Sequence, residues 1–137
     1  MPTLAQELDR KAVLAWAKGI YDNSVDRKDA AGFAAAFTPD GWCRFANNPP
    51  LVGRDNIRAA IAQFFTAMKS LKHSPKGAFM DGDTLFLEAE VTYTRHDDAK
   101  VTVPAMTVFH IASAEDGGRF LADQCRIFVD LAPLFAP

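Results

Sequence analysis

The chain has 137 residues, a formal charge of −2, and is 49% hydrophobic and 23% charged. That is the size of one domain, with enough apolar material for a core and too little polarity for disorder. No basic cluster is present, which argues against nucleic acid or an anionic membrane as partner, and the apolar runs fall far short of a membrane span.

The opening segment interleaves charges with apolar residues and reads as an amphipathic helix rather than a signal peptide. Its expected span is Leu4–Ser24, where Leu8, Ala12, Ala15, Trp16, Gly19, Ile20 and Asn23 recur near helical spacing. The charged connection VDRKD follows, and Asp29 can cap a second helix over Ala30–Phe37. Thr38–Gly41 (TPDG) reads as its stop. Trp42–Ala46 reads as a short strand and Asn47–Gly53 as a loop, since paired prolines do not fit a central strand. Asp55 opens a third helix running to about Ser70, with Ile57, Ile61, Phe64, Phe65 and Met68 as its apolar stripe. His73–Met80 is a further strand, and Asp81–Asp83 a hairpin signal.

Three long strands then alternate apolar and polar residues: Thr84–Arg95, Lys100–Ser113 and Arg119–Leu131. The polar turns His96–Ala99 and Ala114–Gly118 join them. In the tail Ala132–Pro137, Leu134 and Phe135 need cover. Strands this long curve, and a curved antiparallel sheet has a hollow face. The expected fold is a single α+β domain over residues 1–137: a cone-shaped, mostly antiparallel sheet with three N-terminal helices closing an apolar pocket.

The candidate chemistry lies along that hollow. His73 can take a proton near neutral pH, and Asp26 can fix its tautomer, although sequence alone does not bring the two together. Tyr21, near the end of the first helix, offers a phenol or a packed ring. Asn47 can orient a water or a carbonyl, or simply turn the chain. Trp42, Phe45, Phe64, Met68, Tyr93 and Ile127 are the expected apolar lining, a pattern equally suited to plain core. Arg126 and Asp130 share a strand face as a structural pair would. Cys43 and Cys125 read as reduced core thiols of a cytoplasmic protein. No metal is expected, because His73, His96 and His110 lack ligand spacing, and there is no phosphate loop, nucleophile elbow or dinucleotide fingerprint.

Taken together, SVDRKDAAGFAAAFTPDGW, NNPPLVGRDNIRAAIAQFF, VTYTR and CRIFVDLAPLF resemble the nuclear-transport-factor-2-like, SnoaL-like superfamily over nearly the whole chain. That fold hosts enzymes, carriers and assembly modules. Limonene-epoxide hydrolases resemble the chain through Asn47, Gly53–Asp55 and the closing strand. The positions of their acid–arginine–acid set fall on Ala89 or Glu90, Val91 or Thr92, and Ile127, none of which matches. Ketosteroid isomerases are similar at Tyr21, but their two aspartates fall near Phe45 and Thr107. Scytalone dehydratase, hexachlorocyclohexane dehydrochlorinase and the bile-acid dehydratases pair an aspartate in a VD-x-x-D-type segment with a histidine after the third helix; SVDRKD supplies Asp26 and LKHSP supplies His73. The acid partner is open between Tyr21 and Tyr93, since the tyrosine of scytalone dehydratase falls on Phe45.

This last resemblance implies a cofactor-independent lyase or isomerase, dehydratase-like, acting on a small hydrophobic oxygenated molecule. The alternatives are a noncatalytic binding module, or a SnoaL-like cyclase or epoxide hydrolase. A homodimer through the outer sheet face is expected from Phe86, Thr92, Met106, Val108 and Phe128.

Overall fold

Asp9 opens the first helix, its carboxylate accepting the Lys11 backbone N–H at 2.9 Å. The computed structural model describes residues 9–115 and 119–137, so the expected helical residues Leu4–Leu8 and most of the Ala114–Gly118 turn lie outside the described residues. Helix α1 spans Arg10–Asn23 and buries Val13, Ala17, Ile20 and Tyr21, one stripe at helical spacing. A 3₁₀ turn, Val25–Arg27, follows, and Lys28 takes a left-handed φ of 59° to leave it. Asp29 caps α2 (Ala30–Ala34) by accepting the Gly32 N–H at 3.0 Å.

The segment Thr38–Gly41, expected to be a turn, lies inside strand β1 (Phe37–Phe45). The pairing explains the misreading. Phe37 pairs with Ala122, and the register then shifts before Trp42 pairs with Gln124, so TPDG forms an irregular stretch in which a proline is tolerated. A Cβ at Gly41 would stand 3.2 Å from the Ala122 carbonyl oxygen, so a larger residue would crowd the β1–β6 contact there. A two-residue strand β2 (Leu51–Val52) precedes α3 (Arg54–Phe65), whose Ile57, Ile61 and Phe65 are buried. This helix ends before Ser70, its expected limit.

Strands β3 (Ser70–Asp81), β4 (Thr84–Thr94), β5 (Lys100–Glu115) and β6 (Arg119–Val129) form an antiparallel meander. Gly82, at φ +62°, makes the two-residue turn between β3 and β4. The sheet order is β2-β1-β6-β5-β4-β3, with β1 parallel to β6 and every other pair antiparallel. The fold is thus α+β, a six-stranded, mostly antiparallel sheet with helices on its hollow face. Its core runs from Val13 and Ile57 through Leu85, Val91, Phe109 and Ile111. Cys43 and Cys125 face each other across β1 and β6, fully buried and free. Burial, then the neighbouring thiol, pushes Cys125 upward, so it stays protonated. The tail forms α4 (Ala132–Phe135), with Leu134 buried and Phe135 exposed. Arg95 donates to the Leu134 and Ala136 carbonyls at 3.1 and 2.6 Å. Among the described residues no helix is long and apolar enough to cross a membrane.

One ion cluster ties the β3–β4 turn to the body. His110 on β5 meets Asp123 of β6 through Nδ1 at 2.6 Å and Asp83 of the turn through Nε2 at 3.1 Å. The Asp123 hydrogen bond, more than the other contacts, raises the His110 pKa above its ordinary 6.5, although burial opposes it. A raised histidine stabilises the fold fully below its unfolded pKa and loses that stabilisation as pH climbs through the folded one. All three groups are about a third exposed, which limits the effect to under about 1 kcal/mol. The expected outcome is that His110→Gln lowers the thermal midpoint most below pH 6.5 and least in alkaline buffer. Melts across a pH series check this, and a pH-independent difference would refute it.

Candidate active site

Asp26 and His73 are 47 residues apart, and the fold brings them into contact. Asp26 stands in the 3₁₀ turn between α1 and α2, and His73 lies near the start of β3, the sheet's edge strand. The His73 backbone N–H donates to Asp26 Oδ2 at 3.0 Å, and His73 Nδ1 lies 2.7 Å from Asp26 Oδ1. A carboxylate only accepts, so Nδ1 carries the proton. In the neutral imidazole Nε2 is then the nitrogen with the free lone pair. The two side chains are nearly enclosed, at 11% and 13% exposure, where a charge pair is screened less than on the surface.

Tyr21 comes from the last turn of α1 and stacks on the imidazole, ring centroids 4.3 Å apart and planes 20° from parallel. Burial pushes its phenol far above the usual value, while the Thr107 hydroxyl beside it works the other way. Tyr93, on β4, is raised to about 12 by burial alone. Both phenols therefore remain protonated donors at any physiological pH.

These groups border one cavity on the hollow face of the sheet. Counted with its open mouth it spans about 540 Å³, but only about 50 Å³ is room that a solvent molecule can enter. Its lining is apolar except for Tyr21, His73, Tyr93 and Thr107. Phe64 meets Phe45 edge-on at 4.7 Å and Tyr93 at 6.2 Å. Phe45 and Phe64, with Ile127 and Val129, are only half-buried, whereas Tyr21 and Phe33 at the other side are fully buried. Phe45 and Phe64 accordingly mark the mouth, with Tyr93 buried behind them.

Of the lining expected from sequence, Phe45, Phe64, Tyr93 and Ile127 border the cavity. Three residues do not. Trp42 is one residue out of phase with Cys43 and Phe45, so its side chain stands on the opposite sheet face, with Val52 and Gln124 as register partners. Asn47 is an exposed turn residue beyond the end of β1. Met68 is fully buried in the core but does not reach the hollow. Leu71, Val91, Ala105 and Thr107 also line it; the alternation of the β4 and β5 segments was the signal that could have found the last three. Asp130 accepts the Ala132 N–H at 3.0 Å, closing the turn into α4. Among the described residues no group of three or more His, Cys, Asp or Glu side chains could hold a metal ion.

Residues 17–120 match the SnoaL-like domain family. The chain belongs to that family. The match spans Tyr21, Asp26, His73 and Tyr93 together. Among solved structures, this SnoaL-like domain is similar to ActVI-ORFA of Streptomyces coelicolor, with 22% identity, TM-score 0.75, and 88% of this chain and 97% of that one covered. A nuclear-transport-factor-2-like protein of Burkholderia pseudomallei K96243 aligns at 17% identity and TM-score 0.72 over 93% and 97% of the two chains. TerC, crystallised with polyporic acid, aligns at 17% identity and TM-score 0.67 over 90% and 92%. At these identities the likeness is one of fold. No curated protein matches the sequence.

The Asp26 contacts make a direct prediction. Asp26→Ala leaves the His73 N–H and Nδ1–H without their acceptor, so it should lower stability by about 1–3 kcal/mol. Amide exchange at His73 should quicken in step. Denaturant titration with residue-resolved exchange measures both, and an unchanged His73 exchange rate would rule out the clamp.

Proposed function

We propose that this SnoaL-like domain is a cofactor-independent lyase or isomerase that removes a proton from a small hydrophobic, oxygenated molecule. The observation that carries the reading is the two-point grip of Asp26 on His73, which leaves Nε2 as the proton acceptor beside an apolar cavity. Nε2 takes a proton from the carbon next to a carbonyl. The electron pair moves toward the carbonyl oxygen, or onward to expel a group at the next carbon. The resulting imidazolium keeps its Nδ1–H on Asp26, whose charge stabilises it in an enclosed site. The Tyr21 ring, stacked on that imidazolium, adds a cation–π attraction.

General-base catalysis contributes about 10²–10⁴-fold. His73→Ala should therefore slow proton abstraction by that order while the circular dichroism spectrum stays native. The assay need not know the natural product: uptake of solvent deuterium next to the carbonyl of cyclic ketones, followed by NMR, reports the step itself. Equal uptake by the wild type and His73→Ala would remove His73 as base.

A second reading has its own support. The cavity positions that align with acids of related enzymes hold Phe45, Thr107 and Ile127, and among the described residues the only histidine–carboxylate contact at the cavity is His73–Asp26. A binding module of the same shape would hold its ligand unchanged and keep its affinity in His73→Ala.

We extend the proposal to assembly and setting. Phe79 and Phe128 are 60% and 56% exposed on the outer sheet face, with Phe86 and Met106 beside them in register. A two-fold dimer through this face would cover them. Sedimentation should give twice the 15.0 kDa chain mass, and Phe128→Lys should return the monomer; a wild type that is monomeric at micromolar concentration contradicts it. The adjacent free thiols of Cys43 and Cys125 suit the reducing cytoplasm.

A further inference from the structure

A second, roomier cavity borders Tyr21. It lies between α1 and the β3–β4 hairpin and measures about 400 Å³, within the roughly 300–1,000 Å³ that small-molecule sites usually span. Small side chains leave it open. Ala17 lines it from the helix, Ala78 from β3 and Ala89 from β4, with Leu14 and Leu87 as the larger apolar walls. The strand adds to the gap: the register of β3 against β4 shifts between Pro75 and Gly77, and an extra residue of this kind, here Lys76, bends the strand that carries it.

The two cavities follow one another along the same strands. His73 and Val91, a register pair, line the first; Pro75 and Ala89, the next pair on that face, line the second. Among the described residues Tyr21 alone lines both. Its ring is stacked on the His73 imidazole, so a molecule in the second cavity touches a side chain that is itself in contact with His73. The charges limit which molecule. Lys18 and Lys76 border the cavity, but Lys18 is paired with Asp22 and Lys76 with Glu90, the latter at 3.5 Å. Their stems add apolar cover while their heads stay in water. Glu88 falls between Leu87 and Ala89 on β4 and is exposed, so alternation turns its carboxylate to the outer face. The interior therefore complements an uncharged occupant and has no free charge to receive an ion.

We propose that the cavity between α1 and β3 is a second binding site, taking an uncharged apolar ring compound, and that its occupancy is transmitted to His73 through the Tyr21 ring. The coupling needs two distinct sites and a contact between them, and both are present. It does not require His73 to act as a base, and its test involves no turnover. The probe is N-phenyl-1-naphthylamine, whose fluorescence rises in apolar surroundings, titrated into the full chain. The comparison is 1-anilinonaphthalene-8-sulfonate, the same frame carrying a negative group. The wild type should bind the uncharged probe more tightly, and saturation should shift the His73 imidazole nitrogen resonances. Ala78→Trp should weaken the probe by about ten-fold or more, because the indole takes the space a ligand needs, and the His73 shift should vanish with it. Leu14→Asn, at a half-buried helix position, should weaken it too and serves if the tryptophan variant does not fold. Phe128→Lys, on the outer sheet face, should leave probe affinity unchanged. Undiminished affinity in Ala78→Trp or Leu14→Asn overturns the site, as does tighter binding of the sulfonate, or no binding up to the probe's solubility limit. An imidazole that stays put in the saturated wild type overturns the link to His73. Probe affinity retained in His73→Ala, together with undiminished deuterium uptake there, would sink the base and leave this site standing.

Discussion

The grip of Asp26 on His73 answers two needs at once. Strand β3 is a sheet edge, and an edge strand presents backbone N–H groups with nothing to receive them. The 3₁₀ turn lies along part of that edge. Asp26 accepts the His73 N–H, while Lys28, leaving the turn in a left-handed conformation, donates through Nζ to the Met68 carbonyl at 2.9 Å. The structural task of closing the edge thereby fixes the rotamer and the tautomer of an imidazole. One carboxylate serves both roles, so neither can be altered without disturbing the other. Asp26 is accordingly a poor position for exchange even to a residue that keeps the backbone contact alone.

The cavity imposes a second constraint. Ligand sites commonly measure roughly 300–1,000 Å³, and the enterable space here is about 50 Å³. The aromatic side chains at the mouth fill what a ligand would occupy. Phe64 lies in the last turn of α3, and Phe45 ends β1 just before the Asn47–Pro50 loop. Both sit where their elements end, and ends of elements yield more readily than middles. For the proposed function, a ligand of ordinary size would need Phe45 and Phe64 to repack, since they stand at the half-buried side of the hollow.

Much of the fold was legible because alternation is hard to mistake over eleven or more residues. Strands β4, β5 and β6 were readable to within a few residues of their ends, and the α3 stripe was readable to its final turn. Strand β1 was not, because TPDG carries every local mark of a turn, and only its irregular pairing with β6 allows it inside a strand. The site was legible through resemblance rather than physics: nothing local in SVDRKD or LKHSP says that residues so far apart will touch. Its lining was partly legible. Trp42 and Phe45 are three residues apart on one strand, so a period of two puts them on opposite faces; naming both as lining set aromatic character above phase. Thr107 carried its signal in the β5 alternation, which places it on the inner face.

The parallel pairing of β1 with β6 has a consequence for how the molecule assembles. Strands β3 to β6 are joined by short connections and can zip in sequence, each new strand adding to a neighbour already present. Strand β1 has only the two-residue β2 near it in sequence; its long pairing waits for the last strand, Cys43 for Cys125 and Phe45 for Ile127. On a chain emerging from the ribosome, the helices and β1 are made first and completed last. The long-range closure carries its entropy cost before it gains its contacts. Phe45, at the mouth of the cavity, is therefore set in place only when the final strand docks, so the hollow is among the last features of the molecule to acquire its shape.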